Sequence, residues 1–215
     1  MIYGHPKHLL SEGEAAEALT SYSGIAVITT ATAGRVEATH LPIIFEPSAR
    51  GGGSGRLIGH LARGNDHWRA MDDTQCLVIC AGAQAYISPG SYETKIRTGK
   101  VVPTWNYEAI HIRGTIRTTQ DPEKLRAIVE RLTQRHEATQ NDPWQITDAP
   151  VRYIEQQLAG IIGFEVLISE ISAKRKMSQE KSAADRQGVI AGLRRSDDTR
   201  DERVGAIMAQ LETQR

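Results

Sequence analysis

The chain has 215 residues, 40% of them hydrophobic and 24% charged, with 26 lysines and arginines matched by 26 aspartates and glutamates. A chain of this length buries roughly 70% of its unfolded surface, so it can build a core without disulfide or metal staples. Its zero net charge argues against coating nucleic acid, which takes a surplus of Lys and Arg to displace counterions.

The opening "MIYGHPKHLLSEGEAAEAL" has no basic segment followed by an apolar one, and the longest apolar run, "LAGIIGF" (158–164), falls far short of a membrane span. A soluble, cytoplasmic protein without membrane contact is therefore expected. Ser11 followed by Glu14 is a capping-box pattern opening a short helix. Residues 24–62 then read as a β-meander, turning at "AG" (33–34) and at the glycine-rich tip Gly51–Gly55. No Gly-Lys-Ser/Thr follows that tip, so it reads as a flexible loop and not as a phosphate loop.

"NDHWRAMDD" (65–73) predicts a short helix capped by Asn65 or Asp66, leading into "QCLVICAGAQAYISP" (75–89), a nearly continuous apolar strand. Cys76 and Cys80 lie in this strand, about 13 Å apart along it and beyond disulfide reach, which marks them as core thiols of a reducing compartment. The following stretch, "YISPGSYETKIRTGKVVPTWNY" (86–107), is longer and more polar than two packed strands need, since a two-residue hairpin would connect them. Ile110, Ile112, Gly114 and Ile116 next alternate with His111, Arg113, Thr115 and Arg117, the period of a half-buried strand.

"DPEKLRAIVERLTQRHE" (121–137) carries the plainest helix signal: Asp121 caps, Pro122 takes the first helical position, and Leu125, Ile128, Val129 and Leu132 share a face. A second helix is expected after Pro150 with Tyr153, Ile154 and Leu158 inward, and residues 159–179 return to strand. From Ala183 the chain is charged and helical, broken around "RRSDDTRDE". Val189, Ile190 and Leu193, then Ile207, Met208 and Leu211, form apolar stripes that pack either on their own barrel or on a partner subunit, and deletion beyond Arg194 is expected to leave the ligand pocket intact. The pattern predicts an antiparallel β-barrel with peripheral and C-terminal helices, divided into a barrel over residues 1–180 and a helical segment over 181–215.

Polar residues gather at the expected strand ends. Arg63, Lys174, Lys176, Ser178 and Gln179 are donor types that hold a phosphate, and in strand register Lys174, Lys176 and Ser178 share a face. Backbone amides of Thr39, His40 and Leu41, and of Tyr86, Ile87 and Ser88, suit the edge of a flat heterocycle. Trp105 serves either the core or ligand stacking. His40 and His60 taken singly read as structural, and without an HxH, HxxxH or Cys-His pairing no metal site is expected. No G-x-S-x-G elbow is present to support a hydrolase.

The blocks "EATHLPIIFE", "GHLARGNDHWRAM", "AYISPGSYETKIRTGKVVPTWNYEAIHIRGTIR", "LTQRHEA", "DAPVRYIEQQLAGIIGFEV" and "KRKMSQEKSAADRQGVIAGL", in this order, resemble the PaiB family of FMN-binding negative transcriptional regulators. The similarity runs from Tyr3 to Leu193. It implies a split β-barrel that forms a homodimer, FMN at the subunit interface, and repression of genes for degradative enzymes and sporulation. It further implies pocket positions at Thr39, His40, Leu41, Tyr86, Ile87, Ser88 and 176–179, with Arg63 and Asn106 beside them. Gly90 departs from the family pattern, which has a bulkier residue there. DNA contact belongs to the regulator reading, although no helix-turn-helix signature is present. The alternatives are a flavin-dependent oxidoreductase or heme-related enzyme on the same fold, in which His60 or His111 would donate a proton, and a dimer without a ligand.

Overall fold

The computed structural model describes residues 2–48 and 54–213, which leaves Gly51, Gly52 and Gly53 of the expected loop outside the described residues. Seven strands, β1 (Ile25–Thr32), β2 (Arg35–Pro42), β3 (Ile44–Glu46), β4 (Arg56–Ala62), β5 (Thr74–Ile87), β6 (Thr104–Thr119) and β7 (Ile161–Lys176), form one antiparallel sheet in the order β2-β1-β5-β6-β7-β4-β3. Six α-helices accompany them among the described residues: α1 (Glu12–Thr20), α2 (Glu93–Thr98), α3 (Pro122–Glu137), α4 (Val151–Ala159), α5 (Ala183–Leu193) and α6 (Thr199–Thr213). No helix among the described residues is long and apolar enough to cross a membrane.

The chain forms two compact units, the first from residues 12–80 and 111–171 and the second from residues 1–11, 81–110 and 172–215. In the first, β1 and β2 are joined by Ala33 and Gly34, both left-handed at φ 50° and 79°. This two-residue turn matches the twist of the paired strands and sets Thr32 opposite Arg35. Asp121 accepts hydrogen bonds from the amides of Glu123 and Lys124 and so starts α3 at Pro122. Leu125 of α3 packs with Ile146, Ile154 and Leu158, while Ile128 and Leu132 pack on Ile58 of β4.

Tyr153 does not join that core; it is 53% exposed, because the inward face of α4 follows the four-residue step from Ile154 to Leu158. Gly114 marks a close approach of β6 to β7, where a Cβ would stand 2.3 Å from the Leu167 carbonyl oxygen. Cys76 and Cys80 are free and buried, and burial pushes their thiols up to about 11 and about 12.

In the second unit, Ala83, Ala85 and Ile87 of β5 pack with Tyr92, Met177, Val189, Ile190, Leu193, Val204 and Met208. The apolar stripes of α5 and α6 thus pack within their own chain. Arg186 joins the two helices by donating from Nε and Nη2 to the Glu212 carboxylate at 2.6 and 2.9 Å. Because α6 supplies Val204 and Met208 to this cluster, residues beyond Arg194 form part of the second unit's core.

The long segment between β5 and β6 is held by α5. A Cβ on Gly188 would lie 2.2 Å from the Ser91 carbonyl oxygen, so only glycine lets the helix come this near the 3-10 turn at Pro89–Ser91. Asp185 accepts from the Thr94 amide and the Thr94 hydroxyl, both at 2.8 Å, which fixes the start of α2. The extra length between the strands is a docking surface for the C-terminal helices.

Candidate ligand site

The expected site residues fall in both units: Thr39, His40, Leu41 and Arg63 in the first, and Tyr86, Ile87, Ser88, Trp105, Asn106, Lys174, Lys176, Ser178 and Gln179 in the second. In the first unit, β2 is an edge strand, so its outward backbone groups lack a strand partner. Alternation along it buries Thr39 and Leu41 and exposes His40.

The Thr39 hydroxyl belongs to a polar cluster that sequence patterns did not show. Asn65 caps the 3-10 turn at Asp66–Ala70 by accepting from the His67 amide at 3.2 Å, and its Nδ2 donates to Thr39 Oγ1 at 3.0 Å. The His67 ring bridges Thr39 Oγ1 and Thr30 Oγ1, at 2.8 Å on each side. The only sequence hint was the Asn-Asp-His order of a capped turn. Arg63 braces its surroundings, donating from Nε to the Ala159 carbonyl and from Nη1 to Gln120 Oε1, both at 2.7 Å.

Burial lowers the pKa of His60, whose Nδ1 is enclosed without a hydrogen-bond partner. Burial, then the charge of Arg113, lowers that of His111. Both rings are held neutral near pH 7, a poor state for a proton donor.

In the second unit, Tyr86 and Trp105 meet edge to face with ring centres 6.0 Å apart, and they are 50% and 52% exposed. Trp105 therefore stands outside the core, while its neighbour Asn106 is fully buried. Ile87 is buried and Ser88 exposed; the Ser88 hydroxyl accepts from the Gly90 amide at 3.2 Å. A Cβ on Gly90 would meet only this hydroxyl, at 3.4 Å, so the turn does not require glycine there.

Lys174 is nearly buried; its ammonium donates to the Tyr3 carbonyl at 3.1 Å and sits 5.0 Å from the centre of the Tyr107 ring. The Lys176 ammonium, less buried, donates to the Thr104 hydroxyl. Ser178 does not continue their register. β7 ends at Lys176, and Ser178 is left-handed at φ 59°, which turns its side chain into the unit, where it donates to Asn106 Oδ1 at 3.1 Å. Asn106 Nδ2 in turn points to Met208 Sδ at 3.3 Å. Gln179 braces the same turn, accepting from the Met177 amide at 2.7 Å and donating to the Arg175 carbonyl at 2.6 Å.

FMN asks for a flat apolar surface under its ring, polar groups along the ring edge, and a cation at its phosphate. These residues fit that demand. Within the second unit, Tyr86 and Trp105 offer a half-exposed aromatic surface and Lys176 with Thr104 a cation and a hydroxyl; the first unit, taken by itself, offers the edge-strand amides of β2. When bound, FMN supplies a redox-active ring, and the protein supplies orientation and charge.

Comparison with known proteins accords with this chemistry. The family described as "Putative FMN-binding domain" matches residues 2–170. An uncharacterized protein of Emericella nidulans is 35% identical over 188 residues, 74% of this chain and 75% of that one. The "Protease synthase and sporulation protein PAI 2" of Bacillus subtilis is 29% identical over 185 residues, 84% of each chain. Among solved structures, the FAD and heme binding protein from Mycobacterium smegmatis superposes with a TM-score of 0.56 at 16% identity, over 85% of this chain and 78% of that one. The flavocytochrome Anf3 from Azotobacter vinelandii gives 0.53 at 14% identity, over 94% and 77%. At such identities these two likenesses speak for the fold, a split β-barrel with added helices. With the family's match running over most of its length, the chain belongs to the FMN-binding domain family, and FMN is its cofactor.

Proposed function

We propose that this protein is a PaiB-type negative transcriptional regulator that acts as a homodimer with FMN at the subunit interface. The observation that carries the reading is the similarity to the Bacillus subtilis sporulation protein, which covers 84% of both chains. A second copy is the partner favoured by the surface of the second unit, where Tyr3, Ile96 and Val102 are 94%, 88% and 71% exposed in addition to Tyr86 and Trp105. In that unit, Lys176 would meet the phosphate, Tyr86 and Trp105 the ring, and Ile87, Ser88, Asn106, Lys174, Ser178 and Gln179 would shape the wall. The first unit, taken by itself, would offer Thr39, His40 and Leu41 to the edge of a flavin ring, with Arg63 in the same unit.

Residues 194–203, from the end of α5 into α6, carry four arginines against four carboxylates, and Arg200 is paired with Asp198 at 2.6 Å. This turn therefore offers DNA no net charge, and regulation is assigned to the liganded state of the dimer.

The test is titration of the purified protein with FMN and with riboflavin, alongside sedimentation. One FMN per chain, a dimer, and Lys176→Ala weakening FMN by about tenfold but riboflavin little would support the site. Equal weakening of both ligands would give Lys176 a structural role, and a monomer would overturn the interface. A flavin-dependent oxidoreductase or heme-related enzyme is the second reading, favoured by the fold shared with the FAD and heme binding protein. Turnover of an electron acceptor through the bound flavin, with no effect of the protein on reporter genes, would select it.

A further inference from the structure

The His67 ring and the two threonines it bridges are buried: Thr30 and His67 are each 4% exposed and Thr39 9%. Asn65 fixes the direction of the cluster's hydrogen bonds at one end. Asn65 Oδ1 must face the His67 amide, a donor, so Nδ2 is the atom that reaches Thr39 Oγ1. The Thr39 hydroxyl accepts there and still holds its proton, which His67 Nδ1 can accept. In that tautomer the ring proton lies on Nε2 and goes to Thr30 Oγ1.

The cluster also reads strand register. Thr30 lies opposite Glu37, and Thr39 is the next inward residue along β2, so the ring spans a diagonal across the hairpin. A one-residue slip of β2 would turn Thr39 outward and His40 inward, breaking the bridge.

We propose that His67 is a positioning residue for FMN: its Nε2-protonated ring pins β2 in register and so presents Thr39, His40 and Leu41 to the flavin. The inference rests on the reading that residues 39–41 contact FMN. A second proton, on Nδ1, would set two donors against Thr39 Oγ1 and strand the hydroxyl proton, so acid should release the pin. Burial lowers the pKa of His67, and the charge of Glu37 on β2 opposes this in part. The other ionisable neighbours are Arg35 on β2, paired with Glu37 at 2.9 Å; Asp66 and Arg69 of the capped turn, paired at 3.0 Å; His40, on the opposite face; and Cys76 on β5, beside Thr30 and neutral. β1 contributes no ionisable side chain.

The experiment measures riboflavin and FMN affinity by fluorescence quenching between about pH 8 and about pH 5, with nitrogen-15 NMR of the histidine rings. Riboflavin is the primary probe because it lacks the FMN phosphate, which itself titrates near about pH 6. Wild type should show the Nε2–H tautomer near neutral pH and lose affinity about tenfold on acidification, the scale of one buried hydrogen bond. His67→Gln, which accepts and donates without titrating, should match wild type near neutral pH and stay flat. His67→Leu should be weaker by about tenfold throughout. An Nδ1–H tautomer, or His67→Leu with wild-type affinity, would overturn the proposal. Backbone amide shifts of Thr39, His40 and Leu41 on adding riboflavin separate the two failures. If they do not move, the contact assigned to residues 39–41 is wrong; if they move while His67→Leu keeps wild-type affinity, only the positioning role is wrong.

Discussion

Gly188 of α5 and Gly90 of the turn beneath it would respond differently to one added carbon. Alanine at 188 gains helix propensity of about 1 kcal/mol but drives Cβ to 2.2 Å from the Ser91 carbonyl oxygen, which neither backbone can relieve. Gly188→Ala should therefore destabilise the protein by about 1–3 kcal/mol net, and Gly90→Ala should stay within about 0.5 kcal/mol, as read by urea unfolding. Asn106 gives a third case. It joins Ser178 and Met208, so Asn106→Ala strands the buried Ser178 hydroxyl and should cost about 2 kcal/mol in the same assay. Asn106 and Ser178 were legible in the sequence as polar residues out of keeping with packing. That each is the other's partner was not, because 72 residues separate them.

Among the elements, α6 shows how far local pattern reaches. Its stripe of Ile207, Met208 and Leu211 identifies a helix with a buried face, but periodicity is silent on whether that face meets its own subunit or another. The structure places Val204 and Met208 among Ala83, Ala85, Ile87 and Tyr92. Truncation after Arg194 should accordingly lower the thermal midpoint and increase binding of an apolar dye, because Val189, Ile190 and Leu193 lose their cover. A truncated chain that unfolds at the wild-type temperature would show α6 to be dispensable. The capped helices were the best-read elements: Asp121 and Asn65 act within three residues of themselves, and such contacts survive in sequence. β7 was read three residues too long at its C-terminal end, because left-handed Ser178 is held by Asn106, 72 residues away.

For the whole molecule, acid should act on the two units in different ranges. His60, His67 and His111 of the first unit have pKa values lowered by burial below their ordinary 6.5. As pH falls below 6.5 the unfolded chain takes up protons that these folded rings refuse, so stability declines from there downward. Glu180 and Asp185 of the second unit behave in the opposite way. Burial raises their pKa values, but stronger combined hydrogen bonding and nearby positive charge, from His8 and Lys181 at Glu180 and from Thr94, Ser182 and Lys181 at Asp185, leave both below ordinary carboxylates. Their contribution is present above the ordinary carboxylate range and is lost as pH falls through their lowered values. Urea unfolding at a series of pH values should show a first decline below 6.5 that is reduced in His67→Gln, then a second in the carboxylate range.

The sequence by itself determined what depends on neighbours a few residues away: strand and helix periods, caps, the Ala33–Gly34 turn, buried thiols, and the motif order that marks an FMN-binding split barrel. Only the tertiary structure decided that His67 bridges Thr30 and Thr39, that Asp185 anchors Thr94 from 91 residues away, and that α6 packs into its own chain's core. The physical reason is range. Backbone sterics and capping bonds are local and leave a periodic trace, whereas a side-chain hydrogen bond between distant segments exists only once the sheet has fixed their register.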